Sequence, residues 1–380
     1  LAGKLAGKIL FAGSTPPDDN QRGEQSIAMS STVKLADVAR AAGVSQGTVS
    51  NVFNRPDLVS EALRERVEEA ARTLGYRGPD PRGRLLRAGR VNAIGVVSYG
   101  PLPGFFEDPY MREFLAGVAR RCQARGAGIA LVSALDDEVA AWNIRTALVD
   151  GFILSCMADG SRLVELARKR GLPFVAVDFQ SRQDVDIVKV DDYAGAREAA
   201  RHLIALGHRD IAVITYASDT DGYVGYVDDR RVARSRFEVV RRRLSSYREA
   251  FAEAGLGERP VFETQADSQT VETAVGRLLA DYPATTALLC TSDLVAIYAC
   301  RSLRGRGLTV PDDVSVVGFD GTPEAAHHQP SITTIAQPIA DKGAAAVDLI
   351  LGGEAPGAPG RSVMLPLELV VGGSTAAPRR

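Results

Sequence analysis

LADVARAAGVSQGTVSNVFN occupies Leu35 to Asn54 of a 380-residue chain, and its apolar residues keep helical spacing on both sides of a glycine. Leu35, Val38, Ala39 and Ala42 recur at i, i+3, i+4 and i+7, the stripe of one helix face. Gly43 then permits a sharp turn, because a positive φ costs glycine little. Ser45 is placed to N-cap a second helix, in which Val49, Val52 and Phe53 form the apolar stripe. Ala39 is small where the two helices cross, and Val49 packs back from the second. An ordinary helical hairpin that binds nothing has the same periodicity. The run Ser45-Gln46-Gly47-Thr48, polar and facing outward at the start of the second helix, favours a helix-turn-helix, whose second helix lies in the major groove of DNA. On that reading Gln46 makes a bidentate contact to adenine, and Thr48 or Ser50 bonds phosphate or base. Asn51 also pairs with adenine, and Gly47 leaves room for close approach to the backbone.

A third helix is expected from Ser60 as N-cap through EALRERVEEAARTLGY, with Leu63, Val67, Ala70, Ala71 and Leu74 buried and Gly75 ending it. Three short helices around so small a core are only marginally stable alone.

The length calls for two or three domains. Apolar content of 45%, charged content of 24% and a formal net charge of −2 belong to a globular chain with no polybasic or polyacidic character overall. Arg77, Arg82, Arg84, Arg87 and Arg90 nevertheless cluster around one acid, Asp80. Such a run is a phosphate-binding patch or, more commonly, a solvated face. Four cysteines (122, 156, 290 and 300) have no CxxC spacing and read as isolated buried thiols in a reducing cytoplasm. The four histidines offer no HExxH or paired-zinc pattern, so no metal and no cofactor is expected. No apolar run reaches the ~18 residues of a membrane helix. LAGKLAGKILFAG at the start faintly resembles a signal peptide, but Lys4 and Lys8 break its apolar run. Residues 1–31 are expected to be a disordered extension, with Met29 as a candidate natural start.

From Ala93 onward, short β-branched runs alternate with helical periods. AIGVVSY, IALVS, GFILSC, FVAVDF, IVKVD, IAVITY, ALLCTSD and VSVVGFD are strand candidates; FLAGVARRCQARG, SRLVELARKRG, AGAREAARHLIALG, TVETAVGRLLADY and LVAIYACRSLRGRG are helical. That rhythm implies an α/β fold of doubly wound parallel sheets, and the length suggests two of them. Neither GxGxxG after a strand nor GxxxxGK[ST] occurs, so nucleotide binding lacks its usual phosphate loop. Without a nucleophile elbow, metal triad or phosphate loop, the chain is not read as an enzyme.

VKLADVARAAGVSQGTVSNVFNRPDLVSEALRERVEEAARTLGY (residues 33–76) resembles the N-terminal domain of the lactose/galactose repressor family of bacterial regulators, and the resemblance extends to about Gly373. It implies a three-helix DNA-binding domain over residues 32–78 and a hinge over 79–90. It also implies a periplasmic-binding-protein-like core of two subdomains, 91–190 with 337–366 and 191–336 with 367–380. By family position the DNA-binding residues are Lys34, Ser45, Gln46, Gly47, Thr48, Ser50, Asn51, Asn54, Arg84 and Leu86. The leucine falls where the family has one that wedges between central base pairs. Three departures stand out. Asn51 replaces a common arginine, Lys34 stands where threonine often caps helix one, and Gly83 replaces a hinge alanine, weakening that helix by about 1 kcal/mol.

The resemblance also implies an effector crevice at the carboxyl ends of the strands. Asp178, Arg243, Ser292, Asp320 and Gln337 match the family's effector-contacting positions, and Val190 contributes an apolar wall. Taken singly, Asp178, Ser292 and Asp320 read as turn-formers or caps. Together, carboxylates and an arginine suit a polyhydroxylated ligand such as a sugar or sugar derivative. Residues 215–242 form a longer loop than the family usually has, with Phe237, Val240, Leu244, Tyr247 and Phe251 in helical register. Its Asp219, Asp221, Asp228 and Asp229 read as an exposed acidic loop rather than a lid over the cleft. No leucine heptad follows Val371, so a C2 homodimer on a pseudo-palindromic operator is expected. The implied function is a cytoplasmic, sugar-responsive transcriptional regulator, a repressor by family precedent. An exported solute-binding protein of the same core fold is the alternative; it leaves residues 33–90 without purpose.

Overall fold

The computed structural model describes residues 33–78, 90–135, 137–157, 162–179, 185–352 and 360–379. It divides into two compact units, residues 1–88 and 89–380, and each is described by itself. The extension expected over 1–31 and the hinge with Arg84 and Leu86 lie outside the described residues.

In the first unit α1 (Leu35–Ala42), α2 (Gln46–Asn54) and α3 (Glu61–Leu74) enclose a core of Val38, Ala39, Ala42, Val49, Val52, Val67 and Ala71. Gly43 takes φ 63°, and the N–H groups of Gly43 and Val44 close the end of α1 on the Arg40 and Ala39 carbonyls. Gly75 ends α3 in the same way at φ 69°. Tyr76 then turns back edge-on to Phe53, ring centroids 5.7 Å apart. Two expectations for α3 fail. Leu74 is exposed rather than buried, because the last turn of α3 runs past the ends of α1 and α2. Ser60 holds the N-cap position but makes no side-chain cap bond.

The second unit holds two sheets. Sheet A is six-stranded and parallel throughout, in the order β12-β5-β4-β3-β1-β2. Its strands are β1 (Ala93–Ser98), β2 (Gly128–Ser133), β3 (Gly151–Ser155), β4 (Phe174–Val177), β5 (Asp186–Val190) and β12 (Ser362–Leu365). Sheet B has seven strands in the order β13-β11-β10-β9-β6-β8-β7. These are β6 (Ile211–Thr215), β7 (Gly225–Tyr226), β8 (Val261–Glu263), β9 (Ala287–Cys290), β10 (Ser315–Asp320), β11 (Thr333–Ala336) and β13 (Glu368–Val370). Only its outermost strands, β7 and β13, pair antiparallel. The chain passes from sheet A to B after Val190, back after Ala336, and to B again between Leu365 and Glu368.

Every residue of β3, β6, β9 and β10 is buried, as strands covered on both faces must be. Sheet A is covered on one side by α4 (Pro109–Ala124) and α11 (Ile339–Leu351), and on the other by α5 (Asp137–Thr146) and α6 (Arg162–Lys169). Sheet B lies between the pair α7 (Asp192–Ala205) and α8 (Glu238–Glu253) and the pair α9 (Ser268–Asp281) and α10 (Asp293–Gly305). The eight strand candidates and five helical segments all form. The shorter β7, β8, β11, β12 and β13 carry too few residues to show a period.

Where α4 crosses α11 the backbones nearly touch. A Cβ on Gly117 would sit 1.9 Å from the Ala340 carbonyl oxygen, and one on Gly343 would sit 2.5 Å from that of Phe114. Two glycines in one crossing let the helix that follows the second sheet change lie flat against sheet A. Gly117→Ala is therefore expected to lower the stability of the full chain by about 1–3 kcal/mol through overpacking, measured by denaturant unfolding. A loss indistinguishable from zero would mean that the crossing relaxes freely.

Candidate functional site

The first unit presents α2 as a surface helix. The Ser45 hydroxyl accepts the Thr48 N–H (3.1 Å), capping the helix, and also bonds the Thr48 hydroxyl (2.9 Å). Asn54 Nδ2 donates to the Ser50 carbonyl and hydroxyl oxygens, at 2.9 and 3.2 Å. Gln46, Gly47 and Asn51 are exposed, as are Ser45 and Asn54, with Thr48 and Ser50 half-buried. Lys34 is the N-cap residue of α1. It has no acceptor to offer, but its own N–H is taken by the Asp37 carboxylate at 3.0 Å, the half of a capping box that lysine permits.

In the second unit the strand ends bring charged groups together between the two sheets. Asp178 follows β4 and is buried, as is Asp320 at the end of β10. Both adopt positive φ, 59° and 127°, and Cys156 after β3 does the same at 51°. Among the described residues only Asn92 and Ala266 are further non-glycine cases. Strain of this kind persists where the surroundings over-determine the backbone, as at binding sites.

The surroundings here are a connected chain of polar contacts. Lys342 of α11, fully buried, bridges both Asp178 oxygens at 2.6 and 2.8 Å and donates to the Gln337 side-chain carbonyl. The Tyr110 hydroxyl of α4 donates to the same Asp178 carboxylate. Gln337 lies at the second sheet change, and its Nε2 donates to Asp320 at 2.7 Å. Asp320 faces Arg243 of α8 at 3.7 Å. Arg243 in turn holds Asp192 with two N–H groups (2.9 and 2.7 Å), donates to the Thr291 carbonyl (2.6 Å), and lies 3.5 Å over the Phe319 ring. Asp178, Lys342, Gln337, Asp320, Arg243 and Asp192 thus form one line from sheet A to sheet B.

Burial decides the proton affinities along it. Burial raises Asp320 well above the usual carboxylate range against the opposing pull of Arg243, and it raises Asp192 in the same contest. The Tyr110 hydroxyl is raised by burial and then by the Asp178 charge. Ser292 caps α10, its hydroxyl accepting the Val295 N–H at 3.3 Å. Val190 lines a cavity of about 40 Å³ together with Asp178, Asp192, Glu238 and Met364. The rim carries two further contacts between the sheets: the Tyr99 and Phe237 rings at 5.3 Å, and the Arg112–Glu324 ion pair.

Arg243, Asp178, Asp320 and Gln337 therefore meet in one network, with Val190 on its wall and Ser292 beside it as a cap. Residue-by-residue reading missed Tyr110, Asp192 and Lys342. Lys342 alone left a trace, as a cation inside the apolar stripe Ile339, Gly343, Ala346, Val347 and Ile350. The acids of 215–242 do not form a free acidic loop. β7 adds to the edge of sheet B, and Arg231 clamps Asp221 (2.9 Å) to the buried Glu263 (2.7 Å). Asp219 faces Arg236, Asp229 pairs with Arg248, and Asp228 caps a short helical turn. Among the described residues no three His, Cys, Asp or Glu side chains are grouped to hold a metal ion, and no helix is long and apolar enough to cross a membrane.

Residues 34–78 match the description "Bacterial regulatory proteins, lacI family", and residues 200–375 match a periplasmic binding protein-like domain. An HTH-type transcriptional regulator of Mycobacterium tuberculosis is 40% identical over 353 residues, covering 90% of this chain and 97% of that protein. The chain belongs to the lacI family of bacterial regulatory proteins. It is a DNA-binding transcriptional regulator with a ligand-effector core, in a family of regulators rather than enzymes. Two solved structures extend the likeness to nearly the whole molecule. A complex of the transcriptional regulator CelR with cellobiose has a TM-score of 0.63 at 29% identity, covering 90% of this chain and 99% of that one. A lac repressor dimer bound to operator and an anti-inducer has a TM-score of 0.68 at 26% identity, covering 91% and 99%.

Two outcomes are expected of the lacI-family core. Lys342→Met strands the Asp178 carboxylate in the interior and should cost about 3–5 kcal/mol. The double variant Lys342→Met/Asp178→Asn should recover most of that loss in denaturant unfolding, and no recovery would mean that the lysine matters by packing alone. The second concerns Asp293, which accepts from the Thr322 N–H (2.7 Å), the Thr322 hydroxyl (3.1 Å) and the Thr334 hydroxyl (2.6 Å) at the lip of the cleft. Burial raises its carboxyl from 3.8 to about 6. Below pH 4 the folded and unfolded chains both hold this proton, so the group contributes no slope. As pH rises from 4 to 6 the unfolded chain releases it first, and stability falls by up to roughly 3 kcal/mol. In Asp293→Asn that fall should be missing from a plot of unfolding free energy against pH.

Proposed function

We propose that a sugar or sugar derivative enters between the two sheets and is held by Asp178, Val190, Arg243, Ser292, Asp320 and Gln337, and that its binding changes affinity for a pseudo-palindromic operator. The observation that carries this reading is the buried line of charges crossing from sheet to sheet. Each member holds its neighbour through directional hydrogen bonds, and a polyhydroxylated ligand offers donors and acceptors of the same kind. A ligand that exchanges its hydroxyls for the Gln337–Asp320 or Lys342–Gln337 bond alters how the two sheet subdomains are tied. It shifts the equilibrium only by its differential affinity for the two arrangements.

On this reading the subdomains are residues 91–190 with 337–366 and 191–336 with 367–380, joined through the hinge at 79–90 to the DNA-binding domain at 32–78. Lys34, Ser45, Gln46, Gly47, Thr48, Ser50, Asn51, Asn54, Arg84 and Leu86 form the DNA surface. The protein acts in the cytoplasm as a homodimeric repressor, two copies of α2 meeting two half-sites. The dimeric, operator-bound lac repressor and the cellobiose-bound CelR support the reading as relatives of nearly full length.

Recovery of bound fragments from sheared bacterial DNA with the full chain, at fixed moderate salt, tests it. One pseudo-palindromic site is expected, with an affinity that changes when candidate neutral sugars, beginning with cellobiose, are titrated in. Arg243→Ala should abolish the response to whichever sugar acts while the operator is still bound. Retention of the full response in Arg243→Ala would remove the cleft from the mechanism.

A further inference from the structure

The helix assigned above to base reading carries no charged residue. Among Gln46–Asn54 there is no Lys, Arg, Asp or Glu, although Lys34, Arg40 and Arg55 stand near it in sequence. With Val49 and Val52 buried, the 100° step per residue turns Gly47, Ser50, Asn51 and Asn54 outward, and Gln46 projects at the first turn. Most of the polar groups on this surface are already spent inside the helix. Ser45 and Thr48 bond each other and cap α2, while Asn54 reaches back to Ser50. Gln46 and Asn51 are the two exposed side chains of α2 that these bonds do not use.

Gly47 completes the pattern. Its backbone is helical, and a Cβ there would meet only the Ser45 hydroxyl, at an ordinary 3.6 Å. Glycine is the poorest helix former after proline, and nothing in the fold requires it at this position. The reason for it lies outside the fold, on the face that meets the ligand of this helix.

We infer that this chain reads its operator half-site through two carboxamides, Gln46 and Asn51, set either side of a bare Gly47, and that the bases under them are adenines. This rests on α2 being the reading helix. A carboxamide presents one donor and one acceptor in a plane, the complement of adenine N6–H and N7. Guanine presents two acceptors, O6 and N7, and takes an arginine or lysine, which α2 does not have. Glycine between the carboxamides lets the backbone approach the base edges closely enough for side chains as short as asparagine to reach. The cations that flank α2 serve phosphates and set register rather than sequence.

The test is selection of bound duplexes from a randomised pool by the full chain at fixed salt, repeated with Gln46→Ala, Asn51→Ala, Asn51→Arg and Gly47→Ala. The expected half-site has adenine at two positions. Gln46→Ala and Asn51→Ala each relax one of them, and Asn51→Arg converts its own to guanine. Gly47→Ala, which the helix accommodates, should keep or raise thermal stability while weakening the selected site at least tenfold and leaving non-specific binding unchanged. A requirement for guanine at both positions, with the substitutions still shifting preference there, overturns the adenine assignment but keeps α2 as the reader. A selected sequence indifferent to all four variants overturns the placement of the reading helix itself, and the inference with it. Wild-type affinity in Gly47→Ala overturns the role given to the glycine. Failure to enrich any sequence overturns base reading by this chain.

Discussion

The ammonium group of Lys342 has no access to water, and much of the second unit is arranged to make that tolerable. A buried ion pair gains little unless every remaining donor is satisfied. Here one nitrogen meets both oxygens of Asp178 and the side-chain carbonyl of Gln337. Satisfying it requires α11 to lie against α4, which the facing glycines 117 and 343 permit. It also requires Asp178 to turn its backbone into the left-handed region at the end of β4. Gln337 must stand at the sheet change with its amide oriented by a cation on one side and Asp320 on the other. Three requirements on three distant segments are met by one geometry, so the contact is specific as well as stable.

The line continues into sheet B through Arg243, where the balance differs. Arg243 is shared between Asp192 and Asp320, with the tighter contact to Asp192. Asp320 therefore has the weaker cationic partner and the strongly raised proton affinity. It is the member of the line most readily re-partnered by an incoming hydroxyl. Its neighbour Gln337 is the one neutral link. The polar bridge between the subdomains is thus weakest near Asp320 and Gln337 and strongest at its Lys342 and Arg243 ends.

What could be read in the residues follows the range of the forces involved. The helix-turn-helix is a local object: periodicity, a glycine at the turn and a serine cap all act within a few residues, and each appears as the spacing implies. Strands of five or six buried β-branched residues were equally plain, whereas β7, with two residues, and β8 and β13, with three each, were not. The network was legible only in part. Asp178 and Asp320 stand at strand ends and could be matched by family position, but Tyr110 and Lys342 reach Asp178 across 68 and 164 residues. No local pattern encodes such a meeting. The apolar stripe of α11 interrupted by a lysine was the available sign. The 215–242 segment misled because its acids were visible and the arginines that clamp them were not counted as partners.

The two ends of sheet B have a consequence of another kind. Parallel sheets that stop at a long strand leave a row of backbone donors and acceptors able to recruit a strand from another molecule. Sheet B instead stops at β7, two residues held down by the Arg231 clamp through Glu263, and at β13, three residues leading directly into the final turn of the chain. Neither edge is long enough to template an added strand. The segment that lengthens this chain between β6 and α8 therefore serves as a selvedge, finishing the border of the sheet so that it does not unravel into its neighbours.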